Sequence, residues 1–381
     1  MPDTNITLSA GVRQNLLSLQ NTSDLFTVIN TRLSTGKKVN SALDNATNYF
    51  LSNAFRSSAN NLQNLLDNGI TNSLRTIDAA NSGITSLTTL INNIKANLSQ
   101  TLASTPTTAI TTGTVANLTT ASSFTTTVGK TITVSDGTTT ATYTTVGVTT
   151  TVAQILNAIN GTALETVKAE LSGSGQILLE AQGATTITVG GTIAPAELAQ
   201  FGLVAGVTAA GALNATRTAF AAQYDALRTQ IDQQAADSGY NGVSLLNGGG
   251  LKVVYNEKAT SFQNVAGVTD TSTGLGIAAS AGSFQTNFDV NAALTNATNA
   301  LATLQLQAST FASYVAVNQA RADFTKSMIN TLNTGADGLV LSDANQDGAA
   351  LLALQTRQQL GSTALSLTTQ ADRGVLRLFG G

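Results

Sequence analysis

Seven-residue apolar repeats mark the two ends of this chain, and the middle is unlike both. Ile70, Ile77, Ile84, Ile91 and Leu98 recur at strict steps of seven, with Leu66, Ala80, Leu87 and Ile94 filling the positions between them. The same rhythm returns in Leu294, Ala297, Leu301, Leu304, Ala308, Phe311, Val315, Ala322, Ile329 and Leu332. Such a seam belongs to a helix that packs against other helices along its length. Two seams at opposite ends of one chain bring the ends together and make the middle an insertion. That topology suits a building block better than a catalyst.

The composition narrows the function classes. At 381 residues the chain has room for two or three domains. Charged residues make up only 10% and the net charge is −3, which leaves no electrostatic case for nucleic acid. There is no Cys and no His. Disulfides, thiolate metal sites and cysteine nucleophiles are therefore excluded, and so are the commonest general base and zinc ligand. We expect no cofactor, no metal and no enzymatic activity. Met1 to Gln20 holds one cation, Arg13, and no apolar run suited to a secretory signal. No stretch approaches the roughly 18 apolar residues of a membrane span. If the protein is extracellular, it leaves by a route that reads no such signal.

Along the chain, a first helix is expected from about Leu8 to Leu33, with Val12, Leu16, Leu19, Phe26, Ile29 and Leu33 on one stripe. Ser34-Thr35-Gly36 breaks it. A loop from Lys37 to Asn48 leads to a longer helix that stops near Pro106. The Thr- and Gly-rich stretch from about 107 to 212 reads as a small β-β-α-β-β module. Its first hairpin turns at Asp136-Gly137, its helix spans Val152 to Asn160, and Ser172 to Gly175 joins its second strand pair. Ile187 and Val189 suggest one more strand. Helical rhythm resumes at Leu213 and yields to a turn-rich segment from Ser238, with a strand-like run from Leu251 to Tyr255. A long helix begins near Phe288. After a break at Gly335 to Gly338, a last helix covers about Gln346 to Leu378, with Leu354, Leu360, Leu365, Leu367, Val375, Leu378 and Phe379 on or beside its stripe. The fold class is mainly α with β insertions: an antiparallel long-helix bundle formed by both termini, with an inserted β module.

The first helix cannot stand alone. Ordering its residues costs on the order of 1–2 kcal/mol each, while burying six large apolar side chains returns only about 2 kcal/mol apiece. Either the ends fold back as a monomeric bundle or neighbouring copies complete their burial, and periodicity leaves both readings open. The motifs with a chemical look fare poorly. Asp343-Ala344-Asn345-Gln346-Asp347-Gly348 imitates a calcium loop, but the required twelfth-position Glu is Leu354. Helix-start chemistry explains that run better. Gly129-Lys130-Thr131 lacks the upstream Gly of a phosphate loop and reads as a strand start. Gly274 to Ala279 loosely matches a dinucleotide fingerprint without the preceding apolar strand, and reads as a connector.

Four separated motifs carry a resemblance. Asn15-Leu16-Leu17-Ser18-Leu19-Gln20 followed by Arg32-Leu33-Ser34-Thr35-Gly36-Lys37-Lys38-Val39-Asn40-Ser41-Ala42-Leu43-Asp44 resembles the N-terminal region of bacterial flagellins, in wording closest to those of alphaproteobacteria. Tyr240-Asn241-Gly242-Val243-Ser244-Leu245-Leu246-Asn247-Gly248 looks like the motif after their third core helix. Thr356 to Gly361 and Val375-Leu376-Arg377-Leu378-Phe379 resemble their C-terminal helix. The resemblance covers about residues 1–105 and 213–381.

The resemblance implies a filament subunit, secreted through the flagellar type III apparatus. It implies an inner domain of residues 1–45 and 338–381 and a long-helix core domain of 46–106 and 213–337, with a β-hairpin region at about 238–283. Residues 107–212 would form a variable outer domain. The polymerisation surface would comprise Val12, Leu16, Leu19, Phe26, Ile29, Leu33, Leu360, Leu365, Leu367, Val375, Leu378 and Phe379. Implied partners are further copies in a helical homopolymer, a secretion chaperone on the C-terminal helix, and the filament cap and hook-associated proteins. A hook–filament junction protein and a flagellin whose insert binds surfaces are the alternatives. One departure stands out. The family segment recognised by the vertebrate innate receptor is rich in Arg and Glu, whereas Gly83 to Gln100 carries only Lys95. Weak or absent recognition by that receptor is expected.

Overall fold

The computed structural model describes residues 10–106, 109–161, 164 and 166–379, the last five as backbone alone. The expected start of the first helix at Leu8 lies outside the described residues. In chain order the helices and strands are α1 (Ala10–Thr35), α2 (Ala46–Asn64), a π-helical turn (Leu65–Ile70), α3 (Thr71–Ala103), β1 (Ile110–Thr112), β2 (Ser123–Thr125), β3 (Thr131–Ser135), β4 (Thr140–Thr144) and β5 (Thr149–Thr151). Then come α4 (Val152–Asn160), β6 (Val167–Leu171), β7 (Ile177–Ala181), β8 (Ile187–Gly191), α5 (Pro195–Gln200), β9 (Gly206–Thr208), α6 (Ala215–Asp237), β10 (Gly239–Tyr240) and β11 (Val243–Ser244). β12 (Leu251–Val254), β13 (Phe262–Val265), a 3-10 turn (Ala281–Phe284), α7 (Asn287–Val340) and α8 (Ala344–Phe379) complete the described chain. Terminal helices with a central β-rich insertion are thus the observed architecture, as the sequence leads one to expect.

Two compact units divide the residues. The first takes the chain up to Gly69, with Tyr255–Ser261 and Arg321 onward. Here α1 packs on α8, and the loop after α1 is pinned to the end of α7. Gly36 adopts a left-handed φ of 69°, which ends α1, and Lys37 then bridges to Leu341. The backbone N–H of Lys38 donates to Val340 O at 2.8 Å. Asp44 accepts the N–H groups of Asn40 and Ser41, each at 2.8 Å, and Asn45 caps α2 by accepting from Asn48 N.

The expected break at Gly335 to Gly338 is absent: α7 runs through both glycines to Val340. A helical glycine costs about 1 kcal/mol relative to Ala, and local docking offsets that. Gly335 faces the Phe55 ring, and Asp337 pairs with Arg56 at 2.6 Å.

The second unit holds Ile70–Val254 and Phe262–Ala320. Its backbone is α3, whose whole seam is buried: Ile77, Ala80, Ile84, Leu87, Ile91, Ile94 and Leu98, with Ile70 just before the helix, are each at most 4% exposed. It packs along α6. The close approach needs Gly83, because a Cβ there would sit 2.2 Å from Ser238 Oγ and 2.6 Å from Leu246 Cδ1. The Asn241-Gly242 turn has φ of 52° and 80°, the geometry that an Asn-Gly hairpin supplies. Tyr240 Oη accepts from Arg75 on α3 at 3.2 Å.

The insert is larger than the expected β-β-α-β-β module. All its strand pairs are antiparallel, in a three-stranded sheet β1-β7-β6, a four-stranded sheet β4-β3-β8-β9 and a pair β2-β5. The hairpins around Asp136-Gly137 and Ser172–Gly175 and the helix Val152–Asn160 stand as expected. β1, β2, β5, β9 and α5 go beyond the expectation. The four strands are three residues each, too short to show alternation, and α5 is a six-residue turn opened by Pro195. A core of side chains such as Ile132, Val134, Ile155, Leu179, Val189 and Phe201 fills the module. A hydroxyl pair, Thr111 to Thr208 at 2.7 Å, ties the two larger sheets together.

The junction of insert and helices is held by Arg217, which has no solvent exposure. Its guanidinium donates to Ser104 O at 3.1 and 2.8 Å, to Phe284 O and Gln285 O at 3.1 Å, and to Asn287 Oδ1 at 2.6 Å. One side chain thereby satisfies backbone carbonyls of two chain segments, the end of α3 and the turn before α7. Arg217→Met should leave those carbonyls buried and unpaired and cost on the order of 3–5 kcal/mol. Urea unfolding of the monomer followed by circular dichroism checks this.

Candidate functional site

The feature with the greatest unmet physical demand is the pair α1 and α8. The helices run antiparallel: Asn15 Nδ2 donates to Thr368 Oγ1 at 3.3 Å, Leu19 lies against Gly361, and Lys37 meets Leu341 at the closed end. Two helices in contact cover one stripe of each and leave the remainder open. Of the 26 residues of α1, three are buried, Val12, Thr22 and Ile29, whereas α3 buries 12 of 33. The sequence gives both helices apolar stripes, yet only α3 has partners on enough sides to hide its own.

The expected surface residues fall into three groups. Val12 and Ile29 are buried and serve the pair itself. Leu19, Phe26 and Leu365 are half-buried. Leu16, Leu33, Leu360 and Leu367 are exposed, the last two by more than 60%. The side chains of Val375, Leu378 and Phe379 lie outside the described residues.

Leu17, Leu25, Val28 and Leu352, which lie outside the expected surface, are also exposed. The signal was present as doublets. Leu25-Phe26 and Val28-Ile29 each put one member inward and the other on the adjoining open face. A single apolar stripe has no use for the second member. Leu43, in the loop before α2, is 99% exposed, and Phe50 and Leu51 on α2 are exposed as well.

The turn into α8 has helix-start chemistry. Asp343 Oδ1 accepts from Asn345 N at 2.9 Å and from Gln346 N at 3.3 Å, and the Asp347 carboxylate takes the Ser342 hydroxyl. Leu354, at the calcium loop's twelfth position, is buried. Near the closed end, a cleft of about 260 Å³ is lined by Thr27, Val28, Thr31, Arg32, Lys38, Asn40 and Asp44. Backbone N–H groups of Ser41 and Asn40 hold the Asp44 carboxyl below its usual range. The other two chemical-looking motifs are structural. Lys130 N donates to Thr145 Oγ1 just before β3, and Gly276 N and Ile277 N close a turn on Thr273 O and Ser272 O. Among the described residues, no cluster of three or more acidic side chains is placed to hold a metal ion, and no helix is long and apolar enough to cross a membrane.

Inward and outward positions should respond differently to substitution. Leu17→Gln and Leu367→Gln are expected to leave monomer stability within about 0.5 kcal/mol of the parent. Ile29→Ala removes buried volume from the pair and should cost about 2–4 kcal/mol, with earlier loss of helix signal on heating.

Comparison with known proteins agrees with this geometry. Residues 10–109 match the bacterial flagellin N-terminal helical region. The chain is 32% identical over 174 residues to Flagellin FljM of Caulobacter vibrioides and 31% identical over 176 residues to Flagellin FljK of the same organism. Each alignment covers 43% of this chain and 60% of the relative, so the chain spans less than two thirds of the length of these relatives. Flagellin B of Rhizobium meliloti is 36% identical over 90 residues, 24% of this chain and 21% of that protein. Residues 10–109 thus match the bacterial flagellin N-terminal helical region, and the chain is similar over part of its length to flagellins of Caulobacter vibrioides and Rhizobium meliloti.

Proposed function

We propose that this chain is a structural subunit that assembles with copies of itself into an extracellular flagellar filament, with the open faces of α1 and α8 as its polymerisation surface. The observation that carries the reading is the row of exposed apolar side chains on these helices: Leu16, Leu17, Leu25, Val28, Leu33, Leu352, Leu360 and Leu367. Each is part-covered already, so full burial adds about 1 kcal/mol apiece, roughly 8 kcal/mol per subunit before the cost of association. Assembly should be steep in protein concentration, because ordering of the terminal helices is coupled to contact with neighbours. The side chains that bind neighbours are the open members of the stripes, and Val12 and Ile29 act by holding the pair together.

No residue in this reading acts catalytically. The relatives' names are those of flagellins, and a filament subunit needs shape and adhesion to its own kind. The terminal helices would need cover before export, which a secretion chaperone on α8 would supply. Cap and hook-associated proteins would meet the same surface at the filament ends.

The decisive variant removes apolar character without removing the helices. A chain with Leu17, Leu25, Leu360 and Leu367 all changed to Gln is expected to keep the parent's circular dichroism and to form no filaments at concentrations where the parent does. A truncation lacking residues 1–40 should remain folded and monomeric. Filaments from either protein in electron micrographs would refute the assignment of the surface.

A further inference from the structure

The outer face of the β1-β7-β6 sheet carries a second unusual feature. Cross-strand register places Lys168 opposite Glu180 and Glu170 opposite Leu178, so these four side chains share one face. That face rests on the first turns of α7. Glu180 Oε2 accepts from Asn287 N at 2.5 Å, Gln182 Nε2 donates to Asp289 Oδ2 at 2.7 Å, and Asn291 Nδ2 donates to Glu170 Oε2 at 3.4 Å. Thr286 caps the helix by pairing with Asp289 in both directions, at 2.5 and 3.2 Å.

The charges here do not balance. Three carboxylates, Glu170, Glu180 and Asp289, face two cations, Arg217 from α6 and Lys168 from β6, while β1 contributes Ile110, Thr111 and Thr112 and no charge. Arg217 directs its hydrogen bonds to carbonyl oxygens and leaves the carboxylates without a direct bond from it. Glu180 has no solvent exposure, and its Oε1 has no hydrogen-bond partner. One proton on the cluster restores neutrality.

We propose that the insert is held to the start of α7 by a proton-gated joint, in which ionisation of the Glu170–Glu180–Asp289 cluster loosens the sheet from the helix. An ionised Glu180 needs water at Oε1, and water reaches it only when the sheet lifts. The electrostatics run the same way. Burial, with help from Glu170 and Asp289, pushes the Glu180 carboxyl up to about 7, against the Asn287 N–H and Arg217, which favour ionisation. Glu170 and Asp289 are raised by burial as well. Once the joint opens, Glu180 returns toward its ordinary value of 4.5. Opening therefore releases a proton between those two values. The joint is tightest below about pH 4.5, weakens as pH climbs toward 7, and changes no further above that.

Hydrogen exchange on the full-length monomer between pH 5 and 8.5, corrected for the intrinsic pH dependence of amide exchange, tests this. Peptides covering residues 178–182 and 285–291 are expected to lose protection by about tenfold per pH unit from 5 to 7 and to level off beyond. Glu180→Gln should flatten that slope. Glu170→Gln, which keeps Glu180 titratable with one fewer negative neighbour, should move the plateau to lower pH and serves if the first variant does not fold. Flat protection in the parent, a parent-like slope in Glu180→Gln, or an unmoved plateau in Glu170→Gln would overturn the joint. So would an equal slope in the α3 peptides, since that would report unfolding of the whole unit. The readout is made on monomer and is independent of filament formation.

Discussion

A pair of helices can hide only one stripe of each partner, and that geometric limit governs the terminal region. α1 and α8 carry apolar side chains on more of their circumference than one contact covers. The pair is therefore left with a hydrophobic surface that water disfavours and that the described chain does not cover. A chain that meant to fold alone would put polar residues there, as α3 does opposite its buried seam with Asn81, Ser82, Thr85 and Asn92. The proposed polymerisation would resolve the conflict without changing the helices. In that reading the exposed leucines are the part of the structure reserved for a neighbour.

The seam of α3 was fully legible in the sequence because its strict seven-residue repeat runs for several turns. Each predicted seam position in α3 is buried; in α7 Ala297, Leu304, Phe311, Ala322 and Ile329 are buried, while Leu294, Leu301, Ala308, Val315 and Leu332 are half-buried. Three readings fell short, each for a local reason. The break at Gly335–Gly338 weighed glycine propensity without the Phe55 and Arg56 contacts that keep the helix intact. Strands of three Thr-rich residues carry too few positions to show a period. On α1, the strongest apolar stripe includes Val12 and Ile29, which are buried, and leaves out Leu17, Leu25 and Val28, which are exposed. Periodicity finds the strongest stripe, and on a helix with two apolar faces that stripe is the one its own partner takes.

Arg217 and the carboxylates beside it show how a β insert is grafted onto helices. An insertion needs its two connections brought together, and here Ser104 O, Phe284 O and Gln285 O all accept from one guanidinium. Arginine suits this because its five donors are fixed in a plane and its charge persists when buried. Nothing in the one-dimensional pattern marks Arg217 as special. Its role depends on the meeting of segments more than sixty residues apart in sequence.

The central claim is that the open faces of α1 and α8 become buried only between copies. Amide hydrogen exchange compared between monomer and sedimented polymer at one pH measures this most directly. The account predicts faster exchange in peptides from residues 14–33 and 350–370 than in α3 peptides in the monomer, with protection of the terminal peptides rising at least tenfold on assembly, while α3 peptides are protected equally in both. Equal protection of the terminal helices in monomer and polymer would contradict it.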